Sequence, residues 1–336
     1  MTSITETKET ENEVFRKRFD IADVGPLIGL ILLVIIGSIV APSFWTKGNI
    51  INVLNQVSIL GLGALGMTFV IISRYFDLSI AGFLSLSGVL VVGMQETLGT
   101  FGSIIFMILI AVIAGMFNGT IMRVVKGDFG ASIMITFGTG TIFSAIALLY
   151  SKGYTLVPIQ DPLFDWFGNG RIFTIPVPII IFLVSAVIMH ILLRYTTFGR
   201  SVYLTGANPE AARLSGIPIH RVQTTAFVIL AVLVAIGALI RSSQTLGATA
   251  TAGEGYELDV IAAVAIGGTS LAGGAGNIVR TLVGVLIIGV LNNLFILIGL
   301  SNFDQMVAKG VIIIIALLLD KRPDVRSWIR RLRGRG

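Results

Sequence analysis

Runs of about twenty almost uninterrupted apolar residues follow one another along nearly the whole chain, and no other feature constrains its fold more. A hydrocarbon core about 30 Å thick takes about 20 such residues per helical crossing. Ten runs are read, at residues 24–42, 50–72, 79–95, 102–122, 130–150, 175–193, 223–245, 259–271, 282–299 and 306–320. The third and eighth are the least regular, and the eighth runs into a Gly-rich segment. Two soluble domains in 336 residues are excluded, because 54% of the residues are hydrophobic and only 12% charged, against about 25% charged in a soluble domain. Too little interior exists in a water-soluble globule of this size to hide that much apolar surface. The expected fold is all-α: a polytopic integral membrane protein of about ten transmembrane helices. Residues 24–320 form the membrane domain, residues 1–23 an N-terminal tail and residues 321–336 a basic C-terminal tail.

Lys and Arg in the connecting segments give the expected orientation. With the N-terminus inside, the inner segments hold nineteen of the 24 Lys and Arg residues, and the even number of crossings puts both termini in the cytoplasm. The outer segments hold only Lys47, Lys152, Arg171, Arg241 and Lys309. The tail from Lys321 follows directly on a crossing, so its charge is read as a topology signal that touches anionic lipid rather than as a nucleic-acid contact. No small-residue cleavage site follows the N-terminal tail, which makes the first crossing an uncleaved anchor. With no Cys and two His, a thiol-ligated metal, a disulfide framework and a cysteine nucleophile are all excluded.

Ten crossings divide into five plus five, and a repeated unit with an odd number of crossings must be inverted in its second copy. Residues 61–88 and 259–284 share a texture of Gly-flanked apolar run, polar break and second apolar run, which suggests such a repeat. Two soluble segments are long enough for structure of their own. Residues 151–174 are expected outside, and Asp161 and Asp165 there have no pocket to make them a glycosidase pair. Residues 194–222 are expected inside. Within them Asn208 suits a helix N-cap and Pro209 the first helical position. Glu210 sits where the helix dipole favours an anion, and Gly216 fits a left-handed stop. The result is a two-turn helix, too short to persist alone, which reads as a docking knob or as an ordinary structured loop.

The segment Glu210-Ala211-Ala212-x-x-x-Gly216 resembles the EAA-type motif of ABC transporter permeases. The likeness extends to Gly66-Met67-Thr68 with Phe76-Asp77-Leu78-Ser79, and to Gly255-Tyr256-Glu257-Leu258-Asp259 with Ile261 to Val264. It continues through Gly267-Gly268-Thr269-Ser270-Leu271-Ala272-Gly273-Gly274-x-Gly276, and with Asn292, Asn293, Gln305 and Met306 it covers most of the chain. Together these resemble the ribose-type sugar permeases. Two departures add bulk at helix breaks: Ser73-Arg74-Tyr75-Phe76 before the Asp77 segment, and Arg280 after the glycines.

The resemblance implies one membrane-spanning subunit of a bacterial ABC importer in the inner membrane, moving a monosaccharide or related polyol inward by alternating access. A second permease subunit, identical or paralogous, would complete the pathway. A separate ATP-binding cassette ATPase would supply the energy, with ATP and Mg bound there, and an extracytoplasmic sugar-binding protein would deliver substrate. This chain has no G-x-x-x-x-G-K-[ST] phosphate cradle of its own, and no cofactor or catalytic residue is assigned to it. The implied coupling residues are Asn208, Glu210, Ala211, Ala212 and Gly216. Pathway candidates are Asn55, Gln56, Asp77, Ser79, Thr269, Ser270, Asn292 and Asn293, since polar groups inside crossings are costly and neutral amides and hydroxyls suit a sugar. Each has a plain alternative in interhelical hydrogen bonding, as does Asn118, and Asp77 suits capping the helix that follows it better than lining the pathway. The cluster Glu254, Glu257 and Asp259 would sit near the mouth, where Asp259 could cap a helix. Gly115-x-x-x-Gly119 is a small-residue stripe for close helix contact. The rival reading is a stand-alone secondary transporter or facilitator, for which Asp77 and Glu96, at crossing ends, are poor ion-coupling groups.

Overall fold

The structure is a computed structural model and describes residues 21–301 and 303–311. Both tails and the end of the tenth expected crossing lie outside the described residues, except for the first turn of α1. The helices are α1 (Ile21–Val40), α2 (Lys47–Ile72), α3 (Ile80–Gly93), α4 (Gln95–Val125), α5 (Phe129–Ser151), α6 (Pro162–Asn169), α7 (Val177–Tyr195), α8 (Thr197–Ala207), α9 (Pro209–Leu214), α10 (Ile219–Gln244), α11 (Tyr256–Ile266) and α12 (Ile278–Leu297). Residues 303–311 are also helical. A two-residue hairpin, β1 (Arg171–Ile172) with β2 (Ile175–Pro176), is the one sheet among the described residues.

The all-α membrane architecture stands, but among the described residues the number of full-length spans is smaller than ten. Six helices, α2, α4, α5, α7, α10 and α12, are long and apolar enough to cross. Gly25–Val40 of α1 and all of α3 are apolar but short. With 14 and 11 residues, α3 and α11 rise only about 21 and 16 Å, well short of a bilayer core. The physical reason is that each adjoins an interruption: residues 73–79 precede α3, and residues 267–277 follow α11. The third and eighth expected crossings are therefore part helix and part irregular chain.

The segments expected inside gather at one end of the bundle and those expected outside at the other. At the first end, Tyr75 donates its hydroxyl to Gly127 O at 2.9 Å, Gln223 Nε2 donates to Ser73 O at 3.3 Å, and Gly274 N donates to Ile72 O at 2.8 Å. At the opposite end, Gln95 accepts from Ile159 N, Leu156 pairs with Ala248, and Ser243 Oγ donates to Phe164 O. That outer cap includes α6, whose N-cap Asp161 accepts from Leu163 N at 2.8 Å, and which stands where residues 151–174 carry the two carboxylates.

An internal repeat is visible, in a different register from the one suggested by composition. Helices α2 and α10 are both 26 residues long. Each ends in the same left-handed turn: Arg74 has φ 73° and Leu246 φ 47°, with Tyr75 N bonded to Val70 O and Gly247 N to Ser242 O. Each is followed by an irregular stretch and a short helix, and the two units run toward opposite ends. The core is centred on α2, α3 and α10, where Leu62 to Ile72 and Phe83 to Val92 are buried. The stripe Gly115/Gly119 lets α4 lie against α10, since a Cβ there would come within 2.5 Å of Val228 Cα and 2.7 Å of Thr224 Cα.

Candidate functional site

The six-residue helix α9 sits at the end of the bundle that carries Arg74, Lys126 and Arg213. Six residues are far below the length at which a helix persists unaided, so its shape comes from its caps. Asn208 Oδ1 accepts from Ala211 N at 3.1 Å, and Pro209 occupies the first turn. At the other end Gly216 N reaches Arg213 O, Ile217 N reaches Ala212 O, and Gly216 takes φ 77°. Glu210 and Arg213 pair at 2.7 Å, but both are about two-thirds exposed, so the pair contributes little. Ala212 is 3% exposed and faces inward. Glu210, Ala211, Leu214 and Gly216 face solvent. Leu214, at 80% exposure, is a large apolar side chain presented on the knob. Sequence reasoning missed it because an isolated Leu in a polar loop carries no periodic signal.

Helix α8 connects this knob to the membrane interior. Its Gly206 lies so close to the end of α2 that a Cβ would stand 1.7 Å from Ile72 O. Gly274 (φ 75°) packs against Ala207 and donates to the same Ile72 O. Tyr203 donates its hydroxyl to Gly276 O at 2.7 Å, and Phe198 stacks on Phe69 at 6.1 Å. Arg74, one of the bulky departures, donates from Nε to Ala272 O at 3.2 Å, so it bridges the break after α2 to the break after α11. The knob, α8 and both breaks therefore form one contiguous body.

The first break is held by side chains. Irregular backbone at membrane depth must be satisfied by the protein itself. Phe76 N donates to Ser132 Oγ at 3.1 Å, Leu78 N to Thr136 Oγ1 at 2.9 Å, and Ser79 N to Asp77 Oδ1 at 2.8 Å. Ser79 Oγ also donates to Asp77, and Asn118 Nδ2 donates to Ser79 Oγ at 2.8 Å and to Asp77 Oδ2 at 3.4 Å. Asp77, Ser79 and Asn118 are all buried, and Asp77 has no cationic partner among the described residues. The second break is made of glycines. Gly268, Gly273, Gly274 and Gly276 have positive φ, and Ser270 N and Gly273 N find backbone carbonyls at Ala275 and Ser270. Thr269 is buried with its hydroxyl unpartnered among the described residues, and Ser270 is half-buried.

The remaining pathway candidates are spread over two further places. Asn293 and Asn49 exchange amide hydrogen bonds of 2.7 and 3.1 Å, joining α12 to α2. Asn292 donates to Asp259 Oδ2 at 3.2 Å, and Lys309 Nζ lies 2.9 Å from the same oxygen. Asp259 thus ties α11 to α12 and to the helical stretch 303–311, whereas the α11 cap is Gly255 at φ 78°. Among the described residues no three His, Asp or Glu side chains converge as a metal site. In the outer third of α2, Asn55 is half-buried with Oδ1 unpartnered, and Gln56 is exposed. Asn52, also exposed, lies one turn from Gln56 on the same face and belongs with them. It went unnoticed because the apolar run around it masks single amides.

A family described as branched-chain amino acid transport system / permease component matches residues 49–317. The ribose import permease protein RbsC of Bacillus subtilis (strain 168) is 44% identical over 320 residues, which cover 94% of this chain and 98% of that protein. The ribose import permease protein RbsC of Escherichia coli (strain K12) is 36% identical, covering 88% and 92%. The L-arabinose transport system permease protein AraH of Escherichia coli (strain K12) is 33% identical, covering 88% and 90%. No solved structure matches the chain.

Proposed function

This chain belongs to the branched-chain amino acid transport system / permease component family, and from its place there we propose that it is the membrane-spanning permease subunit of an ABC importer that carries a monosaccharide, a pentose or hexose or related polyol, into the cell. The sugar class rests on relatives that import ribose and transport L-arabinose, at identities of 33 to 44%. Its setting is the bacterial cytoplasmic membrane with both termini in the cytosol, as the distribution of Lys and Arg indicates. The chain performs no covalent chemistry; a separate ATPase binds ATP and Mg and supplies the work.

The observation that carries this reading is the continuity of α9 with the two breaks through α8. A partner that grips Leu214, Glu210 and Ala211 moves a body whose other side is Ile72, Gly274 and Arg74. In this mechanism ATP binding draws two ATPases together and shifts α9. The shift changes how the breaks seal the inner half of the pathway. The outer half is entered past α2, where Asn52 and Gln56 present amides that the chain leaves uncovered and Asn55 is half-buried beside them. Exposed amides inside a crossing are costly in lipid. They fit a water-filled path shared with a second permease copy, identical or paralogous. The outer cap of residues 152–176 and 245–255 offers the face for an extracytoplasmic sugar-binding protein.

Co-purification tests the coupling. Tagged wild-type permease should retain its ATPase subunit, while Glu210→Arg and Gly216→Trp should lose it yet remain folded and membrane-inserted. Uptake of sugar by the lone chain in liposomes without ATP would overturn the reading.

A further inference from the structure

A groove of about 470 Å³ runs along the outer surface where α4 meets α10, and its chemistry changes along its length. One end is lined by Arg123 from the last turn of α4 and by His220 and Arg221 from the first turn of α10. All three are exposed, none forms an ion pair among the described residues, and no carboxylate lines the groove. The other end is apolar, lined by Val112, Met116 and Val228. From Val112 to Arg123 the groove follows α4 for about 16 Å. Between the two ends lie the hydroxyls of Thr120, Thr224 and Thr225. Hydroxyls in membrane helices bond back to the preceding turn. Ser58, Thr68, Thr136 and Thr141 do so here. The three groove hydroxyls make no hydrogen bond among the described residues, so their donors are free for a ligand.

We propose that this groove is a binding site for one anionic phospholipid. Its phosphate sits between Arg123, His220 and Arg221, its glycerol and ester oxygens face the threonines, and an acyl chain lies along Met116 and Val228. The polarity runs the right way: α4 ends and α10 begins at the membrane surface, so the cations stand at headgroup level and the apolar walls at acyl depth. Basic grooves between membrane helices at that level suit anionic headgroups. A second copy of the chain is a poorer occupant, since it would bring the same cations against these. The site lies outside α9 and both breaks, so its failure would leave the transport reading standing.

The test is binding of labelled phosphatidylglycerol to the purified full chain in detergent. Arg123→Gln/Arg221→Gln should weaken it about thirtyfold, at about 1 kcal/mol per cation near a headgroup. Arg194→Gln/Arg200→Gln removes the same charge elsewhere at that end and should leave binding unchanged. Met116→Trp fills the apolar arm without altering charge, so it decides the matter even if the double arginine variant misfolds; it too should weaken binding. Equal loss in the Arg194/Arg200 variant, equal affinity for phosphatidylcholine, or displacement by inorganic phosphate at matched concentration would each overturn the proposal.

Discussion

The two interruptions that meet at Ile72 are built by opposite means. Residues 73–79 are fastened by long-range side-chain bonds from Ser132, Thr136 and Asn118, around a buried carboxylate. Residues 267–277 are turned by glycines, bonded through their backbone to themselves, to the end of α11 and to Ile72, Arg74 and Tyr203, and leave the Thr269 hydroxyl without a partner among the described residues. A segment with several buried polar groups held by distant side chains resists displacement, because moving it strands those groups at once. Glycine turns with local bonds can change shape at small cost, since their φ is permissive. The comparison assigns the first break to anchoring and the second to movement, with Arg74 and α8 linking them.

The largest test strikes the point both breaks share. Gly206→Val would drive a side chain into Ile72 O, which is backbone and cannot yield, so the folded yield in detergent is expected to collapse. Next is the anchor itself. Asp77→Ala strands Ser79 N and the Ser79 hydroxyl in a buried site, and a loss of about 3 kcal/mol should appear as an early thermal transition. Asp77→Asn, which keeps an acceptor, should lose far less. Removing one member of the half-buried pair Asp259–Lys309, as in Lys309→Met, should cost about 1–2 kcal/mol in the same assay. The smallest change in stability is expected from Gly268→Ala. It faces open space apart from Arg280 Cδ at 3.8 Å but holds φ 84°, at a cost of about 1 kcal/mol. If the second break moves, that variant should slow ATP-driven uptake far more than its stability suggests. Uptake that merely tracks stability in all five variants would erase the distinction.

The parts legible in the sequence were those whose cause is local. Asn208 and Gly216 specify α9 within nine residues, and their caps form as the residue types require. The apolar runs located the helices for the same reason. Residues 79–95 and 259–271 were irregular in the sequence, and they are the places where helix gives way to break. The register of the repeat was not legible. Arg74 and Leu246 occupy the same turn with unrelated side chains, because the equivalence lies in backbone geometry and not in side-chain type. Ser132 and Thr136 were equally hidden, since nothing near them in the chain marks them as partners of Phe76 and Leu78. Asn292 and Asn293 show both outcomes for adjacent amides: one meets Asp259, and the other closes on Asn49.

The dependence of Phe76 and Leu78 on hydroxyls 56 and 58 residues further along has a consequence for synthesis at the ribosome. At about 5–20 residues per second, those amides wait about 3–12 seconds before their acceptors exist. During that interval the stretch has no satisfied place in lipid. It would have to linger in the aqueous insertion channel or at the headgroup surface, entering the bilayer only together with α5.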